Sequence, residues 1–184
     1  MMLRGAAGSA LSLLLLVLAT IEAITLARTA AEGRRVAAQV VHVSDGDTLV
    51  ARVARLRAGL EKEETVRLVG IDCPETGQAP WGSRATARLA ALVLGRAVIL
   101  EVAIQSRDGH GRLFAGVYLT DGKTLVQELL VREGFCRTLV IPPNVDYVEQ
   151  LRAAKAEAQR AERGIWARTD GLTENPADYR RRHR

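Results

Sequence analysis

Val41-His42-Val43-Ser44-Asp45-Gly46-Asp47-Thr48-Leu49-Val50, continued by Val66-Arg67-Leu68-Val69-Gly70-Ile71-Asp72-Cys73-Pro74-Glu75, is the stretch on which the fold turns. Apolar and polar residues alternate on both sides of Asp45-Gly46, a common hairpin signal, so two strands are predicted to meet there. A third strand over 65–71 ends at the Gly70 break. Asp47, Asp72, Glu75 and Arg67 sit among these strand-like runs, where a charge is costly unless it has a partner. Their density points to a site for a metal ion and a phosphate, although Asp45-Gly46 taken singly also serves as a plain turn.

Outward from this stretch, strands over 36–43, 48–53 and 65–71 make an antiparallel meander. Residues 83–94 carry Ala85, Leu89, Leu92 and Val93 at helical spacing, with Gly95 where a C-terminal cap belongs. Strands over 97–104 and 113–119 flank a turn over 107–112. Residues 124–133 form a second amphipathic helix. A third begins with the capping-box-like pair Asp146 and Glu149, runs to Arg163 and stops at Gly164. Trp166 is expected to fold back as an anchor. Residues 169–184 lack apolar periodicity and are expected to form a flexible basic tail. Five strands, one helix after the third and two after the fifth predict an α+β, mainly β fold: a five-stranded Greek-key barrel of the OB type with three helices. An α+β sandwich with its helices on one face is the alternative.

The 184 residues suit one folded domain over 36–168, and 48% apolar with 26% charged residues excludes global disorder. The net charge of +5 favours a polyanionic partner, but Arg180, Arg181, Arg182 and Arg184 supply four of those charges. Two cysteines without a CxxC and only three histidines disfavour a zinc cluster or another soft-metal site. Arg4 precedes an apolar core over 11–18, shorter than the roughly 20 residues of a spanning helix, so residues 1–27 read as an export signal. The expected location is secreted or periplasmic. The alternative is a retained N-terminal anchor that keeps the protein at a membrane.

Asp47 and Asp72 are oxygen donors of the kind that hold calcium or magnesium, with backbone carbonyls, water and a substrate phosphate completing the shell. Arg67 in mid-strand needs an anion, either Glu75 or a bound phosphate. Glu75, stiffened by Pro74, is placed to orient or deprotonate a water. Arg112 either faces the same place as a second phosphate clamp or pairs with Asp108. His110 reads as an exposed turn residue.

Asp45-Gly46-Asp47-Thr48, Arg67-Leu68-Val69-Gly70-Ile71-Asp72-Cys73-Pro74-Glu75, Gly111-Arg112-Leu113-Phe114-Ala115-Gly116-Val117-Tyr118-Leu119 and Leu130-Val131-Arg132-Glu133-Gly134 together resemble the staphylococcal nuclease (thermonuclease) family, over about residues 36–166. The resemblance implies an OB barrel with three helices and calcium-dependent hydrolysis of DNA and RNA that leaves a 3′-phosphate. It implies Asp47, Asp72 and the main-chain carbonyl of Cys73 as calcium ligands, Glu75 as general base, and Arg67 and Arg112 as phosphate clamps. It also brings Cys73 and Cys136 close enough for a disulfide. The sequence departs from the family at Gly109 and His110, where a tyrosine and a basic residue are usual. It departs again over 137–143, which lacks the tyrosines that flank a nucleotide in the type member. The expectation is therefore a monomeric, exported calcium-dependent nuclease acting on DNA and/or RNA. The alternative is an OB barrel that binds nucleic acid or another partner without cutting it.

Overall fold

The computed structural model describes residues 33–183 together with Leu13, Leu16 and Val17. The expected export signal or anchor over 1–27 lies, apart from those three residues, outside them. Among the described residues no helix is long and apolar enough to cross a membrane. The chain divides into two units, Met1–Arg35 and Val36–Arg184, and the fold below belongs to the second.

Alternation builds the barrel. In β1 (Arg35–Val43) the inward residues are Val36, Ala38 and Val40, and in β2 (Thr48–Val53) they are Leu49, Ala51 and Val53. With a side-chain period of two, any one-residue slip would send these to solvent, so the pattern fixes the register. The two strands pair antiparallel with a shift between Val40 and His42, and β2 pairs antiparallel with β3 (Glu63–Leu68). Strands β5 (Ala97–Arg107) and β6 (Leu113–Tyr118) form a second antiparallel pair, and β6 joins β3 in parallel. The result is a closed barrel in the order β1-β2-β3-β6-β5, as the OB reading expected; the sandwich alternative is set aside. Leu49, Val66, Leu100 and Leu113 are fully buried inside it, each such side chain contributing about 1.5–3 kcal/mol.

The third strand differs from its expected span of 65–71. It begins earlier, because Glu64 is buried and held by a fork from Arg107 on β5, whose Nη2 lies 2.8 Å from Glu64 Oε1. It ends before Gly70, which has a left-handed φ of 87°. Beyond that break β4 (Ile71–Asp72) turns away to pair with β7 (Arg137–Thr138).

Four helices, rather than three, appear among the described residues of the unit Val36–Arg184. Helix α1 (Trp81–Val93) buries Ala85, Leu89, Leu92 and Val93, the face read from its spacing. It is clamped to α2 (Val126–Arg132) by Arg88, whose Nε and Nη2 lie 2.5 and 2.7 Å from the two carboxylate oxygens of Glu133. Gln127, fully buried on α2, donates to the carbonyl of Ala115 (3.0 Å) and accepts from the N–H of Val117 (3.1 Å), locking the helix to β6. Helix α3 (Val148–Arg160) starts later than its acids suggested. Tyr147 stands at its N-cap with no side-chain cap bond, and its ring is buried near Tyr118. A 3₁₀ turn (Gly164–Trp166) follows, with the Arg137 guanidinium 5.0 Å from the Trp166 ring centroid.

The fourth helix, α4 (Pro176–Arg182), corrects the expectation of a flexible tail over 169–184. Apolar periodicity did not predict it because its docking is mostly polar. Trp81 Nε1 donates to the carbonyl of Asp170 (2.8 Å), Gln78 Nε2 donates to that of Glu174 (3.0 Å), and Pro176 is buried.

Candidate active site

The turn before β2 separates two jobs that its sequence left mixed. Asp45 makes the turn, its Oδ1 accepting the N–H of Asp47 at 2.9 Å. Asp47 points its carboxylate inward, where Oδ2 accepts the N–H of Cys73 at 2.8 Å. Gly46 allows this approach, since a Cβ there would lie 2.8 Å from both Cys73 Cβ and Ala85 Cβ. Cys73 is disulfide-bonded to Cys136, which joins the Asp72 strand to the start of β7.

Register then brings the cations in. Thr48 pairs with Arg67 across β2 and β3, so Arg67 stands beside Asp47, with Nη1 2.9 Å from Asp47 Oδ1 and Nη2 3.4 Å from Asp72 Oδ1. All three side chains are nearly buried, which strengthens the pairing and makes removal of either sign costly. Within the protein the anions facing Arg67 are Asp47 and Asp72 rather than Glu75. On the other side of β3, Arg67 pairs with Phe114 of β6, which delivers Arg112 from the preceding turn to the same end of the barrel. Arg112 also meets its local alternative: Nε lies 2.6 Å from Asp108 Oδ2, while Asp108 Oδ1 accepts the N–H groups of His110 and Arg112. The Arg112–Asp108 pair sits in the wall of the same cleft that Arg67 lines.

That cleft has a volume of about 570 Å³ and is lined by Asp47, Arg67, Glu75, Arg112 and others. Asp72 joins it through its ion pair with Arg67, and buried Cys73 is tied to Asp47 of the lining by its N–H. His110 is exposed at the rim, as expected of a turn histidine. Leu139 and Ile141 stand in the wall, in the segment where the family type member has tyrosines.

Residues 65–168 match the family described as Staphylococcal nuclease homologue, more than half of the chain. The chain belongs to this family. Among curated relatives, a thermonuclease of Staphylococcus hyicus is 32% identical over 134 residues, covering 70% of this chain and 75% of that protein. A micrococcal nuclease of Shigella flexneri is 33% identical over 153 residues, covering 78% and 79%. Endonuclease YhcR of Bacillus subtilis is 30% identical over 156 residues, covering 78% of this chain but 12% of that longer protein. The family match begins in β3 and ends before α4.

For this member of the staphylococcal nuclease homologues, the residue that sequence reasoning missed is Arg180 on α4. Its Nη1 lies 2.9 Å from Asp72 Oδ1 and 2.5 Å from Glu75 Oε1, and its Nη2 is 3.2 Å from Asp72 Oδ2. Hydrogen bonding to Asp72, then to Glu75, holds its guanidinium even more firmly protonated than usual. The only local signal was a helix start at Asn175-Pro176 with three arginines in its last turn.

The donor set fits a hard cation. Asp47 and Asp72 are oxygen donors, and burial pushes the Asp47 carboxyl from 3.8 up to about 7 despite Arg67, so its charged form lacks full compensation. Among the described residues no three His, Cys, Asp or Glu side chains gather as a ready cage, so such an ion needs backbone, water or substrate oxygens as well.

The Asp47 shift has a consequence for stability. With a folded pKa of about 7 against 3.8, the folded state holds a proton that the unfolded state has released. In chelator, stability therefore falls as pH rises from about 4 to about 7, opposite to a salt-bridged acid with a lowered pKa. Denaturant unfolding of wild type and Asp47→Asn across that window is expected to show a gap that widens with pH. A constant gap contradicts it.

Proposed function

We propose that this protein is a calcium-dependent nuclease that hydrolyses phosphodiester bonds of DNA and/or RNA. The observation that carries the reading is the convergence of Asp47, Asp72, Glu75, Arg67 and Arg112, from three separate parts of the chain, on one end of the barrel. Family membership and the nuclease names of the relatives support it.

Asp47, Asp72 and the main-chain carbonyl of Cys73 would hold the ion, and bound calcium supplies positive charge that polarises a phosphoryl oxygen. Arg112, on the cleft wall, holds a substrate phosphate and offsets the charge that grows as phosphorus is attacked. Arg67 contributes to the same oxygens from the cleft floor while keeping Asp47 and Asp72 in place. Glu75 accepts the proton of the attacking water, whose oxygen bonds to phosphorus as the bond to the 5′-oxygen breaks. The products are a 3′-phosphate and a 5′-hydroxyl, the departing oxygen taking its proton from solvent.

Residues 1–27 act in this reading as an export signal, with the membrane anchor as alternative, and the Cys73–Cys136 disulfide supports an oxidising compartment. Incubation of the purified protein with end-labelled single-stranded DNA and with RNA in calcium tests the activity. Shortened products ending in 3′-phosphate are expected. Retention of both polymers without cleavage would instead favour a binding barrel.

A further inference from the structure

Helix α4 places a cation where the proposed chemistry needs one from solution. Arg180 donates to both oxygens of Asp72 and to Glu75, so one guanidinium bridges a metal-ligand carboxylate and the general base of the reading above. The placement does not depend on those bonds alone. The Trp81 and Gln78 bonds to the carbonyls of Asp170 and Glu174 fix the approach to α4. Gln78 Oε1 also accepts the N–H of Glu75 at 2.9 Å, so one residue holds both the tail and the acid it reaches. The Tyr179 hydroxyl lies over Gly77 so closely that a Cβ there has no room. Of the arginines described on α4, Arg181 pairs with Asp178 and Arg182 with Glu174 on their own segment, and Arg180 alone crosses to the site.

We propose that Arg180 is a built-in counterion that competes with the divalent cation for Asp72, and so sets how much calcium the site requires. The inference rests on the calcium reading of this site. Arg67 is already committed to Asp47 and Asp72, so Arg180 supplies the positive charge that Glu75 and the rest of Asp72 would otherwise lack. A divalent ion on Asp72 sets like charges on either side of one carboxylate, so the docked and the ion-loaded arrangements oppose each other. If the docked arrangement is favoured about tenfold over the undocked one, the apparent cation affinity is weakened by about the same factor. Linkage makes the effect mutual: the ion loosens α4 to the extent that α4 weakens the ion.

Calcium titration by calorimetry on the full chain tests this without relying on cleavage. Arg180→Ala and Arg180→Gln are expected to bind calcium about tenfold tighter than wild type. Arg181→Ala, which removes the same charge from the same helix without touching the site, is expected to bind as wild type does. Arg180 is 36% exposed, so neither substitution opens the core. In wild type, amide exchange over 176–182 is expected to speed up on adding calcium. Equal or weaker affinity in both Arg180 variants, or exchange unmoved by calcium, overturns the proposal and leaves the nuclease reading standing. Absence of calcium binding in every variant removes both.

Discussion

Glu75→Gln is expected to lower single-turnover cleavage by about 10²- to 10⁴-fold, the usual contribution of a positioned general base. The substitution keeps size and hydrogen-bond acceptance but removes the ability to take a proton. Its structural cost is small, because the backbone at 75 is held by Pro74 and by the bond from its N–H to Gln78, not by its own side chain. That side chain is 33% exposed and paired only with Arg180 among the ion pairs of the site. Stability should therefore stay within about 0.5 kcal/mol of wild type, as for ordinary surface changes. Substrate affinity should be nearly unchanged, since the phosphate is held by Arg67 and Arg112. A fall of less than about tenfold, or an equal loss in binding, would assign Glu75 a positioning role instead.

Breaking the Cys73–Cys136 bond is expected to cost about 4 kcal/mol. The bond closes a loop with a sequence separation of 63, and the loop-entropy relation gives a value of that size. The loop holds α1, β5, β6 and α2, so the constraint bears on two of the five barrel strands. It also fixes Cys73, whose N–H anchors Asp47, so the loss should reach the site. Denaturant unfolding of wild type with and without reductant, and of the Cys73→Ser, Cys136→Ser double variant, measures this. A difference below about 1 kcal/mol would mean that the barrel closes the loop unaided.

Much of this was legible in the chain because alternation and glycine breaks are local signals. β2 was read to its ends, and so were Ala85, Leu89, Leu92 and Val93 of the buried face of α1, though not Trp81 and Gly82 at its start. The acids and arginines of the site were legible as a set, because charge among strand-like runs demands partners. Which charge pairs with which was not. Arg67 meets Asp47 and Asp72 rather than Glu75 because the Thr48–Arg67 register decides it, and register across a barrel is a tertiary fact. Arg180 was invisible for a stronger form of the same reason: its partners lie 108 and 105 residues away, reached by a seven-residue helix whose preceding segment is held through the backbone carbonyls of Asp170 and Glu174. The capping-box pair at Asp146 and Glu149 shows a local signal that missed by one residue, since Tyr147 rather than Asp146 stands at the N-cap of α3.

Cleavage of matched single-stranded DNA and RNA by the full chain, with calcium, with magnesium and with chelator, is the most direct test of a metal-dependent phosphodiester site at Asp47, Asp72 and Glu75. Cleavage in calcium that chelator abolishes, and that Glu75→Gln reduces in the same tubes, is the predicted result. Cleavage that persists undiminished in chelator, or none in any condition, would contradict it.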